Sequence, residues 1–94
     1  MEIEFDEAKR ARILEERGLD IALAGTLFGG FHLTRRDDKH STDTEERFNS
    51  VGMLGDEIVL VTWTSRGSAR RIVTMWKTND EERQAYQHAR DRGG

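Results

Sequence analysis

Apolar residues change their spacing several times along the chain, and each change marks an element. Glu2 to Phe5 alternates charged and apolar positions, the two-residue period of a short half-buried strand. From Asp6 the period lengthens. Ala8, Ala11, Ile13 and Leu14 make a narrow stripe on an otherwise charged helix, with Asp6 as its N-cap and Gly18 as its C-terminal stop. Asp20 opens a second helix, in which Ile21, Ala24, Gly25 and Phe28 fall at i, i+3, i+4 and i+7 before Gly29-Gly30 ends it. Phe31 to Thr34 reads as a short strand. The polar run RRDDKHSTDTEE after it is a longer connection than most in small domains, which is common for functional or mobile loops.

Three clearer strands follow. ERFNSVGML sends Phe48, Ser50, Gly52 and Leu54 to one face and Arg47, Asn49, Val51 and Met53 to the other. EIVLVTWT, set off by Gly55-Asp56, is apolar on both faces, as a central strand should be. RRIVTMWK returns after the Ser65–Ala69 turn to make a hairpin with it. Asn79 with Glu82 three residues on is a capping box, and it opens a last helix whose apolar face is only Ala85, Tyr86 and Ala89. That helix should dock weakly. The order β-α-α-β-β-β-β-α, without proline, repeat or linker, predicts one α+β domain over residues 1–94: a curved antiparallel sheet packed against helices on one face.

Composition narrows the function. The chain has no cysteine, which excludes disulfides and thiolate metal sites and fits a reducing compartment. No apolar run approaches the roughly 18 residues that span a bilayer, and MEIEFDEAK has no signal-peptide character. A soluble cytoplasmic protein with no membrane partner is expected. Net charge is −3, yet it is uneven. Residues 1–30 hold four Lys/Arg against seven Asp/Glu, whereas residues 31–77 hold eight against seven. A polyvalent nucleic-acid scaffold would carry a broad basic face. This chain has at most a small cationic pocket.

That pocket would draw on TSRGSARRIVTMWK, with Arg66, Arg70, Arg71 and Lys77, and on Arg47 at the head of an earlier strand. Strict alternation puts Arg71, Val73, Met75 and Lys77 on one face and Ile72, Thr74 and Trp76 on the other. If the strands pair in order, the arginines converge at one end of the sheet. Guanidinium groups suit phosphate because they stay charged and donate in a planar fork. The plainer reading is surface charge that protects a sheet edge. His32, His40 and His88 have no metal-ligand spacing, and no metal or cofactor is expected. His40, beside Asp37, Asp38 and Lys39, has the chemistry of a proton carrier near neutral pH, and Glu46 is a second candidate base. Trp63 and Trp76 fall on strands, where packing is the default role and base stacking the less common one.

Taken together, these landmarks resemble the BrnT family of bacterial type II toxins. Phe5, Asp6 and Lys9 match its opening, Gly18 and Phe28 its helix ends, and His40 its polar loop. Glu45, Glu46, Arg47 and Gly52 match its next strand, followed by Thr64, Arg66 and Gly67, then Arg71 and Ile72, and finally Glu82 and Tyr86 in the last helix. The resemblance covers about residues 4 to 90. It implies a RelE-like fold, metal-independent RNA cleavage that inhibits translation, and a ribbon-helix-helix antitoxin, with DNA contacted only through that partner. Arg66 and Arg71 would then hold the scissile phosphate, with Glu46 or His40 moving protons and Arg47, Arg70 and Lys77 supporting the RNA. The implied RNA substrate would be met either free or on the ribosome.

The chain departs from the family pattern in two places. Trp76 stands where the last strand usually carries an arginine, and Glu16-Arg17-Gly18 replaces Lys-His-Gly. Loss of one transition-state cation would cost about 3–4 kcal/mol by analogy with oxyanion donors, unless Arg70 stands in for it. A catalytically degenerate toxin fold that acts as a protein-interaction module is therefore the alternative function.

Overall fold

The computed structural model describes residues 2–93. Its elements are β1 (Glu2–Glu4), α1 (Glu7–Arg17), a 3-10 turn (Ile21–Leu23), α2 (Ala24–Gly29), β2 (His32–Arg36), β3 (Arg47–Leu54), β4 (Glu57–Arg66), β5 (Ala69–Lys77) and α3 (Asp80–Asp91). This is the α+β order that the apolar pattern predicts.

Local chemistry accounts for most of the boundaries. The Asp6 carboxylate accepts from the backbone N–H of Ala8 at 2.8 Å and of Lys9 at 3.2 Å, satisfying donors that the first turn of α1 would otherwise leave unpaired. Gly18 ends α1 in the left-handed region at φ 68°, where its N–H reaches the Leu14 carbonyl at 2.9 Å. Asp20 caps a tight turn instead of a continuous second helix, and α2 begins only at Ala24. The same carboxylate takes both Nε and Nη2 of Arg10, at 2.8 and 3.0 Å, and so fixes the angle between α1 and α2.

The strands form one sheet in the order β1-β5-β4-β3-β2. The three pairs from β2 to β5 are antiparallel, as expected, but β1 joins β5 in parallel. α1, the 3-10 turn and α2 cover one face. There Ile13, Leu19, Ile21, Ala24 and Leu27 pack on Val59, Val61, Trp63, Ile72 and Met75, with Ile3, Phe5, Phe28, Phe48 and Leu54 around them. A fully buried aliphatic side chain contributes about 1.5–3 kcal/mol of transfer free energy, so this single layer dominates the stability. The one polar cluster within it is satisfied: Trp63 Nε1 donates to Ser50 Oγ at 2.9 Å, and that hydroxyl meets Thr34 Oγ1 at 2.7 Å. Gly52 is the contact point between β3 and α2. A Cβ there would sit 2.8 Å from Leu27 Cγ and 3.2 Å from His32 Cβ.

Strict alternation fails once in β5. Thr62 pairs with Thr74 but Trp63 pairs with Ile72, so Val73 is an extra residue, a β-bulge. Ile72 and Met75 consequently both enter the core. Arg71, Thr74 and Trp76 share the opposite face, which corrects the predicted grouping of Arg71 with Met75 and Lys77.

The last helix also departs from expectation. It lies on the face away from α1 and α2, where Ala85 and Tyr86 border a groove of about 610 Å³ with Leu33, Asn49, Val51 and Leu60. Tyr86 is fully buried. Its hydroxyl donates to the Phe31 carbonyl at 2.9 Å, and its ring meets that of Phe31 at 5.5 Å. One large amphipathic side chain thus anchors a helix that is otherwise polar. Among the described residues no helix is long and apolar enough to cross a membrane.

Two stability measurements check this account. Gly52→Ala should lower the unfolding free energy by about 1–3 kcal/mol, because Leu27 Cγ cannot swing aside without disturbing the core. Asp20→Ala should cost about 1–2 kcal/mol at neutral pH. The Arg10 guanidinium first, and the Ala22 N–H with it, holds the Asp20 carboxyl below its ordinary value despite burial. A depressed folded value means that the contribution is complete above the unfolded value of about 3.9 and is lost as pH falls through the lower folded one. Urea melts should therefore show the gap between variant and wild type closing below about pH 4.

Candidate functional site

The face opposite the main core holds two rows of polar side chains. In the first, Arg47 of β3, Thr64 of β4, Arg71 of β5 and Glu4 of β1 are register partners across four neighbouring strands. In the second, Arg35, Asn49, Thr62 and Thr74 are partners across β2 to β5. Buried Thr62 and Thr64 make the floor, and the arginines rise from it. Arg47 is held loosely by Glu45 at 3.4 Å. Arg71 is half-buried and, like Arg35 and Arg66, takes part in no ion pair among the described residues. Glu4 is its neighbour in the row and Asp6 feels its charge, but neither is paired with it, so the Arg71 guanidinium keeps donors available to an external anion.

Arg17 reaches the same face from the end of α1. β1 pairs only with residues 69–71, so the outer edge of β5 is open beyond Arg71. Arg17 closes that edge: its Nη1 donates to Thr74 Oγ1 and to the Met75 carbonyl, both at 2.9 Å. Its guanidinium carbon lies 3.3 Å from the centroid of the Trp76 ring, a cation–π stack. Trp76 remains 49 % exposed beneath it. Arg17 and Trp76, the two residues that the resemblance singled out as expected departures, therefore touch each other. A cation stands above position 76 after all, delivered by α1 and held by the tryptophan.

The polar loop is not loose. The Asp37 N–H donates to the Arg47 carbonyl at 2.7 Å, and Ser41 Oγ accepts from the Arg47 N–H at 2.8 Å. Thr42 and Glu45 close the remainder on themselves through both backbone and hydroxyl bonds. The loop is thus stapled to the strand that carries Arg47. Within it Asp37, only 14 % exposed, accepts from His40 Nδ1 at 2.9 Å and from the His40 backbone N–H at 3.3 Å. Burial opposes ionisation of Asp37, but these His40 contacts, with a smaller one from Asn49, outweigh it and hold the carboxyl below its usual range.

The sequence-predicted residues are thus sorted by strand register. Arg47 and Arg71 stand together, His40 is tied to the same strand end, and Arg66 projects from the neighbouring hairpin. Arg66 borders a recess of about 370 Å³ with Thr64, Glu45 and Glu46. Three expectations change. Arg70 is on the helix-covered face, its guanidinium 3.9 Å from the Phe28 centroid and 4.9 Å from that of Trp63, with Nε buried and unpartnered. Burial alone pushes its pKa down. Lys77, past the bulge, is a register partner of core Val59 and pairs with Glu57 at 3.7 Å. Glu46 is taken by Arg36 at 2.9 Å. Arg17, Arg35, Asp37 and Asn49 were not predicted. Of these only Asp37, three residues before His40 in a turn-forming run, left a local signal. Among the described residues no three His, Asp or Glu side chains gather as a metal site.

Comparison with known families gives one match. The model of the ribonuclease toxin BrnT of type II toxin-antitoxin systems matches residues 5–82, most of the chain, so the chain belongs to that family. No curated protein and no solved structure compared with it matches.

The division between Arg70 and Arg71 can be measured. Arg70→Ala should lower the unfolding free energy by about 1–2 kcal/mol through loss of the two ring contacts. Arg71→Ala should change it by no more than about 0.5 kcal/mol. Paired urea titrations of the two variants read the difference directly.

Proposed function

We propose that this BrnT-family chain is an endoribonuclease that cleaves RNA without a metal, by attack of a 2′-hydroxyl on the adjacent phosphate. The observation that carries this reading is the row Arg47–Thr64–Arg71 on the open face, extended along β5 by Arg17 on Trp76. In the reaction the 2′-oxygen loses its proton and bonds to phosphorus, while the P–O5′ bond breaks and the 5′-oxygen gains a proton. Charge builds on the non-bridging oxygens. Arg71 on β5 and Arg47 on β3 would meet it from either side of β4, with Arg66 at the hairpin and Arg17 at the outer edge. Fixed cations in a preorganised row need no reorganisation as that charge develops, which is where most of the rate comes from. His40 is the proton carrier in this reading. Glu46, neutralised by Arg36, is a support for the loop, and Arg70 and Lys77 belong to the other face.

Membership in a type II toxin-antitoxin family implies an RNA substrate and an antitoxin partner. A ribbon-helix-helix protein is our reading for that partner, inhibition of translation for the outcome, and the cytoplasm for the place. Exposed Trp76 supports a second reading, in which the open face is a protein-binding surface with no catalysis.

Induction of the chain in a bacterial host should arrest growth and degrade RNA on a gel. Arg71→Ala should abolish both, by about a hundred- to thousandfold in cleavage rate, with an unchanged melting temperature. Normal growth with intact RNA, from a folded wild type, would put the binding reading first. Trp76→Arg now has a different expected result from that of a simple restored cation. It sets two guanidinium groups against each other and should displace Arg17 without raising activity.

A further inference from the structure

Beyond the cations, the end of β3 that carries Arg47 holds a carboxylate hydrogen-bonded to His40. Thr62 Oγ1 donates to Asn49 Oδ1 at 2.7 Å, which turns the amide nitrogen of Asn49 away from β4. Asn49 adds a minor stabilising influence on the ionised Asp37, whose carboxylate only accepts. Asp37 Oδ2 receives His40 Nδ1 at 2.9 Å, and Asp37 Oδ1 receives the His40 backbone N–H at 3.3 Å. An acceptor-only carboxylate on Nδ1 selects the tautomer that carries its proton there, which leaves the lone pair on Nε2. His40 is 57 % exposed, so Nε2 can reach solvent or substrate, whereas Asp37 is nearly covered. The turn that holds the pair is stapled to Arg47 through the Asp37 N–H and the Ser41 hydroxyl.

We propose that Asp37 is the positioning residue of a His40–Asp37 dyad, in a turn stapled to β3, so that His40 Nε2 accepts the 2′-hydroxyl proton of RNA held by Arg47. This rests on the ribonuclease reading above and specifies which group moves the proton. The step balances: the O2′–H bond breaks as the O2′–P bond forms, the proton passes to Nε2, and the P–O5′ bond breaks with its oxygen protonated by water. The carboxylate neither gains nor loses a proton. It fixes the ring and stabilises the imidazolium that forms, the role an acid plays behind a catalytic imidazole. The arrangement is local on one side and long-range on the other. Asp37 and His40 are one turn apart in sequence, but the turn is held in place because β3 brings both backbone groups of Arg47 to the Asp37 N–H and the Ser41 hydroxyl.

The test combines activity with a readout that needs no RNA. Long-range nitrogen–proton NMR on labelled protein at about pH 8.5, well above the ordinary histidine value of about 6.5, reports which ring nitrogen carries the proton. Wild type should show His40 protonated at Nδ1 and bare at Nε2. Asp37→Asn should shift the ring toward the Nε2–H form that unrestrained histidines favour, and should slow RNA cleavage about tenfold or more. His40→Asn keeps an N–H at the place of Nδ1, so it preserves the bond to Asp37 and the loop. It should nevertheless lose about a hundredfold or more of the rate, because nothing stands at the place of Nε2. Melting temperatures near wild type confirm that both variants are folded. An identical tautomer in wild type and Asp37→Asn, or wild-type cleavage by His40→Asn, would overturn the dyad and leave the ribonuclease reading intact. A wild type that leaves RNA uncut removes the ribonuclease reading and the proton-transfer role together, whatever the tautomer.

Discussion

The extra residue at Val73 decides what the two faces of the sheet are for. Before it, Ile72 points into the core and Arg71 away. After it, Met75 points into the core and Thr74 and Trp76 away. Without the insertion, continuing the alternation from Arg71 would turn Met75 outward and bring Trp76 under the helices. The bulge therefore lets one strand supply two core residues and a three-residue polar face at the same time, in a chain too small to add another strand for the purpose. It also sets the spacing between Arg71 and Thr74, and so between the guanidinium on the sheet floor and the one that Arg17 lays over Trp76.

How much of this could be read from residues alone depends on the range of the forces involved. Asp6, Gly18 and the Asn79–Glu82 box announce the helix ends because capping is settled within four residues. β3 and β4 are legible because alternation and the Gly55-Asp56 turn are also local. The bulge is not, since Val73 is as good a strand residue as its neighbours. The parallel partnership of β1 with β5 depends on residues at opposite ends of the chain. For α3, Ala85, Tyr86 and Ala89 declare that the helix has an apolar face but not which side of the sheet receives it. The carbonyl of Phe31 settles that.

The same distinction runs through the candidate site. Residue type marked the arginines as a group, yet only register divides them. Adjacent Arg70 and Arg71 end on opposite faces, one lying over aromatic rings and the other free. Arg17 carried no sequence signal beyond a mismatch in a family pattern, because its role requires Trp76 far along the chain. The polar loop read as mobile because nothing in RRDDKHSTDTEE shows that Ser41 will bond both backbone groups of Arg47. Asp37 gains its meaning the same way, from a strand residue it does not adjoin in sequence.

The parallel strand at the sheet edge has a consequence for synthesis. β1 pairs with residues 67 positions ahead of it, Glu2 with Ala69 and Glu4 with Arg71. A nascent chain that has emerged only as far as β4 therefore carries its first strand unpaired, and none of its Arg71 row is complete. Contacts of such long sequence separation form late, after the local hairpins. The row of Arg47, Thr64, Arg71 and Glu4 cannot exist on a chain that stops at β4. It forms when residues 69–71 are free to pair with both β1 and β4, so this face of the sheet is assembled late in folding.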